Sequence, residues 1–384
     1  MSAEDVTPPG RGHIPALDGV RGLAILLVLM AHFGELFYDG LGVSVSGRPA
    51  DALLLAAARL GWTGVDLFFV LSGFLITGLL YDAKGSGRYF VNFYGRRTAR
   101  IFPLYYGVLV AVFVVGPWLG VGRGINRALG ADQAWFWLYG VNVLAALKGH
   151  TFPLVHFWSL AVEEHFYLVW PMVVRVMERG ALMTTCVVVG LGALGLRVWM
   201  QPRFNSVAIY VLTPCRIDSL AAGALLALAV RGPRGVGAVR PFAPAAVMAG
   251  VLALAAGRIW QAGLHTPWVQ TIGFSLFALV FWGLIALVIS GPPGSVATRV
   301  FSAGWLRSLG KYSYGIYVYH VFVMSTLARK LPPAGLTAAV GSSAAACLVF
   351  LLAGVMLSFA VAFVSWWIYE RPFLSLKERF FRYG

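Results

Sequence analysis

The sequence predicts an all-α integral membrane protein: about ten transmembrane helices around a polar cavity, both termini in the cytoplasm, and one short interfacial or re-entrant helix. Three observations predict it. Of the 384 residues, 59% are hydrophobic and only 12% are charged, and mean hydropathy is +0.78, well outside the range of soluble domains. Apolar runs recur from end to end with no polar stretch long enough to fold alone, which makes one membrane domain, 16–373, between a polar tail (1–15) and an amphipathic tail (374–384). The few ionisable residues inside those runs are of the kinds that line polar cavities.

A bilayer core takes about 20 apolar helical residues. Runs of that order fall at 22–38, 61–81, 101–120, 157–175, 181–200, 208–230, 241–259, 270–290, 312–328 and 342–369. The run 134–147 has fourteen residues and suits an interfacial or re-entrant helix. With that run not crossing, most Lys and Arg fall on the side of both termini, whereas a crossing there inverts the balance. The tail "FLSLKERFFRYG" has a basic and an aromatic face, as in a helix lying on the inner leaflet.

The net charge of +15 does not indicate a nucleic-acid partner, because the basic residues lie between hydrophobic segments rather than in a soluble module. The first fifteen residues do not resemble a cleavable signal, so the first span is expected to stay. Cys186, Cys215 and Cys347 lie in apolar runs, and neither a disulfide framework nor a metal site is expected. The excess of Arg over Lys, with abundant Ala and Gly, suggests a GC-rich genome, and a bacterial cytoplasmic membrane is the expected location.

The first span, within "ALDGVRGLAILLVLMAHFG", carries Arg21 at its entrance and His32 eleven positions on. Eleven residues advance about 16 Å and return to within about 20° of the same face, so a cation at the surface and an imidazole near mid-membrane share one stripe. In "GVDLFFVLSGFLIT" Asp66 lies near the outer end and Ser72 near the middle. Ser-Gly alone in a membrane helix is more often a close-packing device than a nucleophile. "RRTARIFPLYY" places Arg97 and Arg100 on one face with Arg96 beside them, a fork suited to the phosphates of a nucleotide-like cofactor as well as to topology. In "HFWSLAVEEHFYLVWP" Ser159 and Glu163 stack at i, i+4, and adjacent carboxylates inside an apolar run need water, a cation or a catalytic task. "TPCRIDSLAAG" buries Arg216 and Asp218, for a structural ion pair or for substrate contact. His320, in "YSYGIYVYHVFV", reaches nearly the depth of His32.

The ordered set of these motifs resembles the acyltransferase 3 family of membrane O-acyltransferases. The resemblance runs through Arg21 and His32, "FFVLSG", Arg97 and Arg100, the Ser-Leu-x-x-Glu element Ser159 to Glu163, "CRIDSLAAG", "YSYGIYVYH" and "ERPF", over residues 16–373. It implies transfer of an acyl group, usually from acyl-CoA and here expected to be acetyl-CoA, to a hydroxyl of a sugar or other acceptor. It further implies that His32 is essential and that Arg21, Arg97, Arg100 and Glu163 belong to the site. Some relatives continue into a soluble extracytoplasmic domain that completes transfer. This sequence ends soon after "ERPF", so direct transfer or a separate partner is expected.

Such chemistry needs a base for the hydroxyl and a donor for the tetrahedral oxyanion. His32 is the expected base, with Glu163 and Arg21 also catalytic. Arg97, Arg100 and Arg96, with Arg21, are expected to hold the CoA phosphates, and no permanently bound cofactor is expected. His320, Ser72 and Arg216 are the oxyanion candidates, Glu163 and Asp66 are expected to orient the acceptor, and Ser159 is a further substrate or oxyanion candidate. The acceptor preferred on composition is a macrolide or other antibiotic. The alternatives are a cell-surface polysaccharide and, in another class, a proton-coupled transporter.

Overall fold

The computed structural model describes residues 14–38, 48–259, 262–292 and 294–381, and among these there are only helices and connections. Most of the polar N-terminal tail therefore lies outside the described residues. The helices that position the site are α1 (Pro15–Tyr38), α2 (Pro49–Leu60), α3 (Thr63–Asp82), α4 (Tyr89–Val110), α5 (Gln133–Trp137), α6 (Val141–Lys148), α7 (Trp158–Val176) and α8 (Arg179–Met200). They are followed by α9 (Thr213–Ala229), α10 (Ala243–Ala256), α11 (Phe274–Ser290), α12 (Gly304–Lys311), α13 (Ser313–Lys330), α14 (Ser343–Ser365) and α15 (Arg371–Phe380).

Each of the ten predicted spans coincides with a helix, and seven helical stretches among the described residues are long and apolar enough to cross a membrane. The protein is therefore multi-pass. The shortfall from ten has physical causes. Helix α7 carries Glu163, Glu164 and His165, α13 carries His320 among tyrosines and ends on Arg329 and Lys330, and α10 has 14 residues. The run 134–147 is broken at Tyr139, whose φ of 54° no helix continues through, leaving α5 and α6 with 5 and 8 residues. Eight helical residues advance about 12 Å, less than half a bilayer core.

Small residues bring the helices together. A Cβ on Gly73 of α3 would lie 2.0 Å from the Leu220 carbonyl oxygen, and one on Gly223 of α9 would lie 1.9 Å from that of Val70. The two backbones are in contact at this crossing, which no side chain fits. Gly73 thus packs, while its neighbour Ser72 points the other way, into the cavity. A second glycine seam docks α12 on the first turns of α1: Cβ atoms on Gly22 and Gly310 would approach the Leu306 and Asp18 carbonyl oxygens at 2.0 and 1.7 Å. Gly223→Leu is expected to abolish recovery of a monodisperse protein in detergent. Gly190→Leu, where a side chain meets open space, is expected to be recovered like the native chain; size-exclusion chromatography checks both.

Candidate active site

Helices α1, α3, α4, α7 and α13 line a cleft of about 110 Å³. Arg21, Arg97 and Arg100 line it together with Ser72, Ser159, Glu163 and Glu164. Each contribution follows from helical spacing. Arg97 and Arg100 are one turn apart on α4, and Ser159 and Glu163 one turn apart on α7. Phe69 and Ser72 of α3 add an apolar and a polar position on one face.

The polar groups are ordered by a hydrogen-bond chain. The Ser72 hydroxyl donates to Glu163 Oε1. Its one hydrogen is then committed, so at the 2.9 Å contact with Tyr167 Oη the tyrosine donates. The Arg97 guanidinium lies 4.8 Å from the Tyr167 ring centroid, which links the cationic wall to this chain. Arg21 donates to Asp18 at 2.8 Å while still facing the cleft.

At the inner end Tyr317 separates the cleft from a cluster of three histidines. Its hydroxyl donates to the His156 carbonyl oxygen at 2.5 Å, so across the 2.6 Å contact with Ser159 Oγ the serine donates. Behind it, the Tyr317 ring is 5.6 Å from the rings of both His156 and His320. His320 meets His32 edge-on at 4.8 Å and His156 at 5.2 Å. His32 Nδ1 is 2.9 Å from the Val28 carbonyl oxygen and His320 Nδ1 is 2.6 Å from that of Tyr317. A carbonyl only accepts, so each Nδ1 carries the hydrogen and, in the neutral ring, each Nε2 carries the lone pair. The Nε2 atoms of His156 and His320 are buried without partners.

The structure therefore brings Arg21, Arg97, Arg100, Ser72, Ser159 and Glu163 to one cavity, and places His32 and His320 one side chain beyond it. The direct route along the α1 stripe is filled by Ile25 and Val28, which are 0% and 1% exposed. Three other residues lie elsewhere. Arg96 turns to the C-terminal segment, where its guanidinium donates to the Phe381 carbonyl oxygen at 2.8 Å. Asp66 and Arg216 face each other in the α3–α9 seam at 2.5 Å, both 0% exposed. Asp218, the neighbour of Arg216 in sequence, pairs instead with Arg197 on α8 at 2.8 Å.

Sequence reasoning did not single out His156, Tyr167 or Tyr317. For Tyr317 a signal existed: Tyr314, Tyr317 and His320 recur every third residue and share a face of α13. His156 stands in a three-residue turn ahead of α7, where no periodicity operates.

Comparison with known proteins gives the chemistry a class. Residues 14–370 match the acyltransferase 3 family, described as an acyltransferase domain. The chain is 29% identical over 330 residues to the peptidoglycan O-acetyltransferase OatA of Listeria monocytogenes, covering 81% of this chain and 49% of that protein. It is 28% identical over 346 residues to a Bacillus subtilis protein named "Putative peptidoglycan O-acetyltransferase YrhL", covering 83% and 50%. The chain thus spans about half the length of these relatives. No solved structure matches it. A multi-pass helical protein whose ordered motifs build one cationic and carboxylate-lined cavity, matched over nearly its whole length, belongs to the acyltransferase 3 family of membrane acyltransferases.

Proposed function

We propose that this chain takes an acetyl group from acetyl-CoA and transfers it to a hydroxyl of a cell-envelope glycan of the peptidoglycan class. The observation that carries the reading is the convergence of Arg21, Arg97 and Arg100 on the cavity that also holds the Tyr167–Ser72–Glu163 chain. Three guanidiniums on one wall suit the phosphates of a CoA thioester, since each presents a planar fork of donors. The relatives favour the envelope glycan over the macrolide acceptor that composition suggested. The excess of basic residues at this end of the bundle supports a mouth facing the cytoplasm.

The donor's arm then runs inward from the arginines to Ser159 and Tyr317, and its thioester passes the Tyr317 ring to the histidine cluster. His32 Nε2 takes the proton of the acceptor hydroxyl as its oxygen attacks the thioester carbonyl. The tetrahedral intermediate collapses with loss of the thiolate, which recovers the proton, so ester and free CoA are the products. Among the three oxyanion candidates Arg216 lies in the α3–α9 seam and does not line the cleft, and Ser72 donates to Glu163. His320 is left, edge-on to His32 with an unpartnered Nε2 that donates when protonated. Glu163 and Glu164 orient polar groups in the cleft.

The test is incubation of the full chain in membrane vesicles with acetyl-labelled CoA and glycan strands. Label recovered as alkali-labile acetate on the glycan supports the reading. Uptake of an intact solute without transfer, or labelling of a macrolide but not of the glycan, overturns it. Within that assay Arg97→Gln/Arg100→Gln is expected to raise the KM for acetyl-CoA by about 10–100-fold, the range set by losing hydrogen bonds to a charged partner. A fall in kcat at unchanged KM would remove the phosphates from this wall.

A further inference from the structure

Outside the cleft, a second concavity of about 710 Å³ shares Arg21 and Arg100 with it. Its far wall is α12, which presents Arg307, Ser308 and Lys311. Arg307 and Lys311 are at i, i+4 and so stand on one helix face, directed at the opening. The Arg307 Nε is buried without a hydrogen-bond partner, and the Lys311 ammonium stands 5.7 Å from the centroid of the Trp366 ring, which closes the other side. Two bordering carboxylates are engaged: Asp18 accepts from Arg21, and Glu370 from Ser365. The wall therefore holds four cations, Arg21, Arg100, Arg307 and Lys311, against Asp18. The glycine seam of Gly22 and Gly310 fixes α12 against α1, so this arrangement is built into the packing rather than left to a surface loop.

Resting on the acyl-CoA reading above, we propose that Arg307 and Lys311 bind the ribose 3′-phosphate of the donor nucleotide, with Trp366 as the platform for its adenine. The order of groups along the donor requires it. The thioester is innermost, the diphosphate follows at Arg97, Arg100 and Arg21, and the 3′-phosphorylated adenosine is outermost, where α12 and Trp366 stand. Such a nucleotide carries roughly four negative charges at neutral pH, more than the inner arginines can neutralise beside Glu163 and Glu164. The mouth thereby selects a free CoA thioester over donors that lack the 3′-phosphate, including pantetheine thioesters on carrier proteins.

The experiment is equilibrium binding to the full chain in nanodiscs, comparing adenosine 3′,5′-bisphosphate with adenosine 5′-phosphate, alongside acetyl transfer from acetyl-CoA and from its 3′-dephospho form. The native chain is expected to prefer the 3′-phosphorylated ligand and donor by at least about 10-fold, and Arg307→Gln/Lys311→Gln to erase that preference. Equal use of both donors by the native chain overturns the site while leaving acetyl-CoA transfer intact. Absence of transfer from either donor instead overturns the functional reading. The native ratio needs no variant, so a variant that failed to fold would not shelter the proposal. Running the measurements in phosphatidylglycerol and in phosphatidylcholine discs separates the nucleotide from lipid. Loss of the 3′-phosphate preference in both, with competition by phosphatidylglycerol, assigns the cations to headgroups and overturns the site.

Discussion

His32→Ala is expected to abolish acetyl transfer, by about 10²–10⁴-fold or to background, while leaving the protein folded. General-base catalysis contributes rate factors of that size. His32 is only partly buried, and its ring nitrogen bonds within its own helix, to the Val28 carbonyl oxygen one turn back. Its removal therefore leaves no buried partner unsatisfied, and alanine is at least as good a helix former. The measurement pairs turnover with the thermal midpoint in detergent. Turnover within a few-fold of native by a folded His32→Ala protein would sink the proposed base. The intermediate case is informative for Tyr317, which separates the cleft from the histidines. Tyr317→Phe keeps the ring and loses the hydroxyl that donates to the His156 carbonyl oxygen and accepts from Ser159.

The stripe on α1 shows how far sequence carries this site. Helical arithmetic puts Arg21 and His32 on one face because both lie on one continuous helix. It cannot show that Ile25 and Val28, on the same stripe, would be filled over by other helices, because that depends on how those helices dock, as α3 does where its Gly64 meets Val28. The arginine fork and the Ser159–Glu163 pair were legible for the same reason as the stripe: each is local to one helix. The Ser72–Glu163 bond links residues 91 apart in sequence, and the Ser159–Tyr317 contact residues 158 apart, so neither partner could be named from periodicity. The helices themselves were legible wherever apolar residues ran on. Helix α2 was not, since its twelve residues are too few for a span, and its Asp51 accepts from Tyr38 and Ser343, 13 and 292 positions away.

Asp66→Ala is expected to cost the fold rather than the chemistry, and this separates the two acidic residues that the sequence left side by side on the acceptor side. Asp66 accepts from Arg216 at 2.5 Å and from Ser219 at 3.1 Å, entirely within the α3–α9 seam that the glycine crossing closes. The same guanidinium lies 3.9 Å from the Phe274 ring centroid and 5.2 Å from that of Tyr210, so Arg216 is held by one carboxylate and two aromatic rings. Removing the carboxylate strands a cation inside the bundle, and breaking a buried pair from one side costs about 3–5 kcal/mol. Replacing both charges by apolar groups of similar volume is close to neutral in comparable cases. The double variant Asp66→Leu/Arg216→Met is therefore expected to recover the thermal midpoint that Asp66→Ala loses, and with it acetyl transfer, because neither residue lines the cleft. A folded double variant without activity would return Asp66 or Arg216 to the reaction. Glu163→Gln gives the complementary result: it keeps a hydrogen-bond acceptor for Ser72 and is expected to lower turnover without loss of folded protein, since its carboxylate opens onto the cavity.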